Sequence, residues 1–139
     1  MATVIRPVIS ENNKYYIDKH RYYELKHFCL QYSLWKKAYS AIVELSASTP
    51  LLEKVTSSNV DCDMTAKCAL RRAYYSEKIN LIETTAKEAD EYLWHYIVKG
   101  VTEGLSFTYL KTKLDMPCGK DMYYDRYRKF FWLLSEARQ

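Results

Sequence analysis

Glycine and proline are scarce in this chain, with three of each among 139 residues. So few turn-forming residues argue against a β-sandwich, whose short strands need frequent turns. No apolar run approaches the roughly 18 residues of a membrane-spanning helix, and the first residues lack the apolar core of a signal peptide. The sequence contains no Cys-x-x-Cys pair and no Gly-rich phosphate loop, which argues against a zinc ribbon, a redox motif and a nucleotide site.

The composition favours a folded helical protein. The chain is 48% hydrophobic and 27% charged, and its length suits one domain with a core of its own. The formal net charge is +4, with residues 1–46, 47–105 and 106–139 carrying +3, −2 and +3. With neither a leader nor a membrane span in the sequence, we expect the protein in the cytoplasm, with no membrane partner.

Hydrophobic periodicity predicts an all-α fold of about five or six helices. Residues 1–16 have no sustained period and are expected to form an extended lead. Residues 17–46 are predicted to form an N-terminal helical hairpin whose first helix is capped by Asp18. Residues 47–63 concentrate turn and capping residues around a proline, which predicts a loop. Residues 64–139 are then a C-terminal helical module.

Two helices are expected in the first part of that module. Asp63 or Thr65 begins a long helix that ends near Lys87, and Asp90 begins another that ends at Gly104, a favoured C-cap residue. The predicted core face of the long helix consists of Ala66, Ala69, Leu70, Ala73, Leu81, Ile82 and Ala86.

Residues 106–135 have the spacing of a helix-turn-helix. Ser106 occupies an N-cap position, and the Asp-Met-Pro sequence of residues 115–117 predicts a break after a short helix. The second helix is expected to begin near Cys118 with a tight turn before it. Its predicted buried side consists of Met122, Tyr123, Tyr127, Phe130, Phe131 and Leu134.

A basic line on the second helix indicates a possible function. Lys120, Tyr124 and Arg128 recur at intervals of four residues, as expected for side chains that read base edges from a recognition helix in double-stranded DNA. Four further cations are candidate contacts to the DNA backbone: Lys111, Lys113, Arg126 and Lys129. A plain helical hairpin packed on the core is the alternative.

The C-terminal part also resembles a known family. Residues 94–110, 114–117 and 122–131 read WHYIVKGVTEGLSFTYL, LDMP and MYYDRYRKFF. They resemble phage-encoded late-gene regulators of the RinA and ArpU type, which are similar to sigma factor region four. The resemblance covers about residues 90–135 and implies a helix-turn-helix transcription regulator. The whole chain is also similar to proteins carried by phages and prophages of Gram-positive bacteria, including residues 14–20 and 130–134.

Two acidic residues depart from the family pattern. Where those regulators carry Thr and successive Arg residues, this chain has Asp121 and Asp125, and carboxylates are repelled by phosphates. Asp can accept a hydrogen bond from cytosine N4, so one acid is compatible with DNA. Two acids favour an alternative: a phage-encoded inhibitor that binds a host protein such as a CRISPR effector.

An enzyme is not predicted, and neither a cofactor nor a metal site is expected. His20, Glu24 and His27 share a helix face, but no second cluster of ligands completes a metal site. Cys29 lies near His27 in the sequence, yet residues two apart point to different sides of a helix.

Tyrosine is abundant, at 14 of 139 residues. The tyrosines of the N-terminal hairpin lie beside lysines and arginines, a combination that can stack single-stranded bases. Core packing and contacts between copies are the favoured interpretation, because Tyr and Trp are enriched at interfaces. We therefore expect the hairpin to mediate a homodimer or to dock a partner.

Overall fold

The computed structural model describes residues 13–53 and 59–139, and the side chains of residues 13–45 and 65–139. Within these residues the chain forms helices and no strand, so the all-α class and the predicted number of helices are confirmed. The helices are α1 (Lys19–Leu30), α2 (Tyr32–Glu53), α3 (Asn59–Ala89), α4 (Trp94–Glu103), α5 (Phe107–Lys113) and α6 (Lys120–Ala137). No helix in the described part of the chain has the length and apolar character needed to cross a bilayer.

Capping residues set the helix ends that the sequence marks most clearly. Asp18 is the N-cap of α1, where its Oδ2 accepts a hydrogen bond from the amide of His20 at 2.9 Å. Gly104 ends α4 with a φ of 67°, a left-handed conformation that glycine adopts without a steric penalty. Both predicted caps are confirmed.

The loop predicted for residues 47–63 is wrong over most of its length. The helix α2 continues through Pro50 to Glu53, and α3 begins at Asn59. A proline removes one helical hydrogen bond, and the leucines and glutamate after it favour helix. Residues 54–58 lie outside the described part of the chain, as do residues 1–12 of the predicted extended lead.

The chain divides into two compact units, at places other than those predicted. Unit 1 contains the described residues up to Gln31 together with Leu81–Gln139, and unit 2 is Tyr32–Asn80. The predicted hairpin of residues 17–46 is therefore split, because α1 packs against α4 and α6 of the C-terminal part. The helix α3 contributes to both units.

The core of unit 1 is dominated by aromatic side chains of α6. Tyr123, Tyr127, Phe130 and Phe131 are buried, and the ring of Phe131 makes an edge contact with Tyr22 of α1 at 5.1 Å. The hydroxyls of Tyr22 and Tyr127 are hydrogen-bonded to each other at 2.8 Å. Burial raises the pKa of both phenols, so the pair stays neutral.

A second contact joins α1 to the end of α6. The guanidinium of Arg21 donates to the hydroxyl and carbonyl of Ser135, each at 3.1 Å, and to the carbonyl of Arg138 at 3.2 Å. Carbonyls in the last turn of a helix have no partner within the helix, so an arginine from a neighbouring element satisfies them. The contact fixes the C-terminal end of α6 to the start of α1.

Unit 2 has a smaller set of buried side chains. Tyr32 and Trp35 of α2 and Ile79 of α3 are buried, and the ammonium of Lys78 lies 5.8 Å from the centre of the Trp35 ring.

The predicted core face of α3 is correct only in its C-terminal half, where Ile82 and Ala86 are buried and Leu81 is half-buried. The other predicted core positions are exposed: Ala66, Ala69, Leu70 and Ala73.

Gly100 of α4 allows Tyr123 to approach closely. A Cβ atom at position 100 would overlap the Tyr123 hydroxyl oxygen, and Leu110 Cδ1 would lie 3.4 Å from it. The Tyr123 hydroxyl is buried, and no hydrogen-bond partner lies near it among the described residues. The ring carrying this oxygen is rigid and completely buried, so it cannot move aside without repacking the core.

We predict that Gly100→Ala lowers the free energy of unfolding by about 1–3 kcal/mol, because overpacking outweighs the higher helix propensity of alanine. In a Tyr123→Phe background the same change should be neutral or stabilising, since the overlapping oxygen is gone. Urea denaturation of the two single variants and the double variant measures this coupling. Equal costs of Gly100→Ala in both backgrounds would contradict the proposed overlap.

Candidate nucleic-acid interface

The short helix α5 begins at a capped position. The Ser106 hydroxyl accepts a hydrogen bond from the amide of Tyr109 at 3.2 Å, which confirms the predicted N-cap. Leu110 is completely buried, whereas Tyr109 is 45% exposed. One face of α5 therefore packs on the rest of unit 1, and the other face, with Tyr109 and Lys113, is exposed to solvent.

The connection between α5 and α6 is longer than the predicted tight turn. It comprises residues 114–119, in which Met116 and Cys118 are buried. Asp115 has a φ of 52°, a left-handed conformation that Asp tolerates better than most residues. This bend lets the Met116 amide donate to the Leu110 carbonyl at 3.2 Å. The helix α6 begins at Lys120, two residues after Cys118 and so near the predicted start.

Lys111 stabilises the connection between α5 and α6 by hydrogen bonds to its backbone. Its ammonium donates to the carbonyl of Met116 at 3.0 Å and to the carbonyl of Cys118 at 3.3 Å. The sequence predicted Lys111 as a contact to the DNA backbone, and the structure gives it a local role as well. The positive charge of Lys111 is held just before the first turn of α6.

The N-terminus of α6 has no side-chain cap. Gly119 occupies the N-cap position and makes no side-chain hydrogen bond, in contrast to Asp18 at the start of α1. The first amides of a helix carry partial positive charge and favour anions. Lys120, the first residue of α6, is exposed and adds a full positive charge at the same end.

The three residues of the predicted reading line differ in environment. Lys120 is exposed, whereas Tyr124 and Arg128 are half-buried. The Tyr124 ring lies 6.2 Å from the Phe107 ring of α5, and burial raises its pKa although a hydrogen bond to the Phe107 backbone opposes this. The Nε of Arg128 is buried without a hydrogen-bond partner among the described residues. The predicted reading line therefore runs along the boundary between the buried core and the exposed surface of α6.

The outward face of α6 carries other residues. Asp121 and Met122 are exposed, and Asp125, Lys129 and Trp132 are half-buried. Met122 was predicted on the buried side and is instead 46% exposed. The buried residues recur at positions 123, 127, 130, 131 and 134, and position 122 lies about 100° away from position 123 around the helix. Periodicity measured from the aromatic residues alone would have placed Met122 outside.

Arg126 forms two ion pairs rather than lying free. Its Nε is 3.0 Å from Asp90 Oδ2, and its NH1 is 2.7 Å from Asp125 Oδ2. The other oxygen of Asp90 accepts hydrogen bonds from the amides of Tyr92 and Leu93, at 2.8 and 2.9 Å. Arg126 therefore joins α6 to the turn before α4, and its charge is largely neutralised.

The pairing of Asp90 with Arg126 was not predicted from the sequence. Asp90 was predicted to begin a helix, but α4 begins at Trp94, and the Asp90 carboxylate closes the turn before it. The side chain is only 8% exposed. Burial alone would raise the pKa of Asp90, but the two amides and Arg126 together hold it below the ordinary value.

The residues considered for an enzyme site do not form one cluster. Glu24 pairs with Arg21 at 2.7 Å, and His20 and His27 are exposed. Cys29 is completely buried, and burial raises the pKa of its thiol well above the ordinary range. A thiol in that environment stays protonated and unreactive.

Comparisons with protein-family models, with curated proteins and with solved structures give no match to this chain.

We predict that Asp90 contributes to stability above about pH 4 and that this contribution is lost on acidification. Because its folded-state pKa lies below the unfolded value of about 3.9, the folded protein loses this stabilisation as the pH falls through the folded-state pKa. Urea denaturation between pH 6 and pH 2.5 measures the effect.

Two substitutions separate the charge of Asp90 from its capping role. Asp90→Asn should flatten the acid limb of the stability profile, and Asp90→Ala should cost about 1–2 kcal/mol more at pH 6, because the amides of Tyr92 and Leu93 also lose their acceptor. An unchanged acid limb in Asp90→Asn would show that the ion pair with Arg126 contributes little.

Proposed function

We propose that this protein is a phage-encoded transcription regulator that binds double-stranded DNA through α5 and α6. The observation that carries the proposal is the uncapped start of α6, where Lys120, the helix amides and the nearby Lys111 supply positive charge and Asp121 supplies the negative charge of the first turn. Such a helix end suits a DNA phosphate. The resemblance of about residues 90–135 to late-gene regulators supports the same function.

The side chains of α6 then have different roles. Lys120 and, at the end of α5, the exposed Lys113 contact phosphates, together with Lys129 and the outer part of the Arg128 guanidinium. Tyr124 contacts Phe107 and holds α6 against α5, so it positions the helix rather than reading bases. Arg126 orients the helix through Asp90. The charge of Asp125 is offset by Arg126, so the repulsion expected from two acids falls mainly on Asp121.

We predict that Lys120→Ala weakens DNA binding by about tenfold at 0.1 M salt and lowers the slope of log K against log salt by about one. Fluorescence anisotropy with a duplex selected from a randomised pool measures both quantities. Helix stability should not fall, because a cation at the first position of a helix opposes the helix dipole.

Lys19→Ala is the matched control, since Lys19 is also an exposed first residue of a helix and its loss changes the net charge equally. It should leave the affinity and the salt slope unchanged. Equal effects of the two substitutions, or no binding of the parent chain to any duplex at low salt, would overturn the DNA proposal.

A second candidate function is inhibition of a host protein, such as a CRISPR effector. The observation that favours it is the outward face of α6, where Asp121 is exposed beside Met122, a large apolar side chain with 46% of its surface accessible. Exposed apolar residues bordered by charge suit a protein interface at least as well as a DNA groove.

Asp121→Asn distinguishes the two functions. If the partner is DNA, affinity for a duplex of unrelated sequence should rise severalfold, because a carboxylate near phosphates is removed. If the partner is a basic protein surface, a stoichiometric complex isolated from host lysate should weaken. A rise in DNA affinity with no stoichiometric host protein would exclude the inhibitor.

A further inference from the structure

The N-terminal half of α3 is exposed and positively charged. Of residues 65–76, nine are exposed, three are half-buried and none is buried. They include Lys67, Arg71 and Arg72 and no acidic residue, although residues 47–105 as a whole carry a net charge of −2. None of the three cations forms an ion pair with any residue whose side chain the structure describes.

Two of these cations share one side of α3 with a tyrosine and a further lysine. Successive residues of a helix are about 100° and 1.5 Å apart, so positions 67, 71, 74 and 78 lie within about 60° of one another along roughly 16 Å of the helix. Tyr74 is 54% exposed, and the ammonium of Lys78 lies 4.5 Å from the centre of its ring. We call Lys67, Arg71, Tyr74 and Lys78 the α3 basic line. Arg72 lies outside it, about 100° from Arg71.

Every side chain of the α3 basic line can donate a hydrogen bond, and Lys, Arg and Tyr all contact phosphates in protein–DNA complexes. The exposed Glu77 lies about 100° from Lys78 around the helix. Asp63 precedes Lys67 by about one turn, and its side chain lies outside the described part of the chain. Arg71 is two turns from Asp63, so it is the residue of the line on which a test is placed.

We propose that the α3 basic line binds the phosphate backbone of double-stranded DNA, independently of base sequence. Cations in a row along one side of a helix complement the regularly spaced negative charges of a nucleic-acid backbone. A protein interface usually has an apolar centre, whereas the one ring in this line is in contact with the Lys78 ammonium. The proposal rests on the proposed DNA-binding function and adds a contact from a second helix to it.

Removal of one charge tests the contact. Arg71→Ala in the full chain should weaken DNA binding about fivefold at 0.1 M salt and lower the slope of log K against log salt by about one. Because a backbone contact does not read bases, the loss should be equal for the selected duplex and for a duplex of unrelated sequence. Fluorescence anisotropy measures both, and circular dichroism should show the helix content of the parent, since Arg71 is exposed and alanine favours helix.

Arg72→Ala is the matched control, because it removes the same charge from the next exposed residue on another side of α3. It should leave the affinity and the salt slope unchanged. Equal effects of Arg71→Ala and Arg72→Ala, with Lys120→Ala still effective, would overturn the α3 contact alone. A parent chain that binds no duplex at low salt overturns it together with the proposed function.

A second variant separates DNA from an acidic protein as the partner of this surface. Leu70 is 72% exposed and lies about 60° from Lys67, so it would supply apolar contact at a protein interface. Leu70→Ala should leave DNA affinity unchanged. A stoichiometric host protein that is lost in both Leu70→Ala and Arg71→Ala, at unchanged DNA affinity, would overturn the proposal and assign the surface to that protein.

Discussion

The aromatic side chains of α6 pack against α1 and α4, and the properties of the C-terminal helices depend on that packing. Tyr123, Tyr127, Phe130 and Phe131 occupy one face of the helix, and burying such large side chains outweighs any preference of the residues on the other sides. Which residues of α6 remain accessible is therefore a consequence of the core. Lys120, Asp121 and Met122 lie outside because the aromatic rings determine the inside.

Polar contacts then fix the position of α6 more precisely than the burial of apolar side chains can. The Asp90–Arg126 pair joins it to the turn before α4, Tyr124 joins it to α5, and Arg21 holds its last carbonyls. Directional contacts at several points along one helix restrict both its rotation and its translation. A helix held in this way loses little conformational freedom on binding, which would favour the contact proposed for its N-terminal turn.

Features encoded locally could be predicted from the sequence. The caps at Asp18 and Ser106 and the end of α4 at Gly104 depend on neighbouring residues, and all three are confirmed. Features that need the tertiary structure could not. Periodicity cannot show that Leu70 of α3 is exposed, and no local pattern pairs Arg126 with Asp90, 36 residues earlier. The predicted contacts to the DNA backbone rest on charge, and charge does not show that Lys111 and Arg126 already have partners.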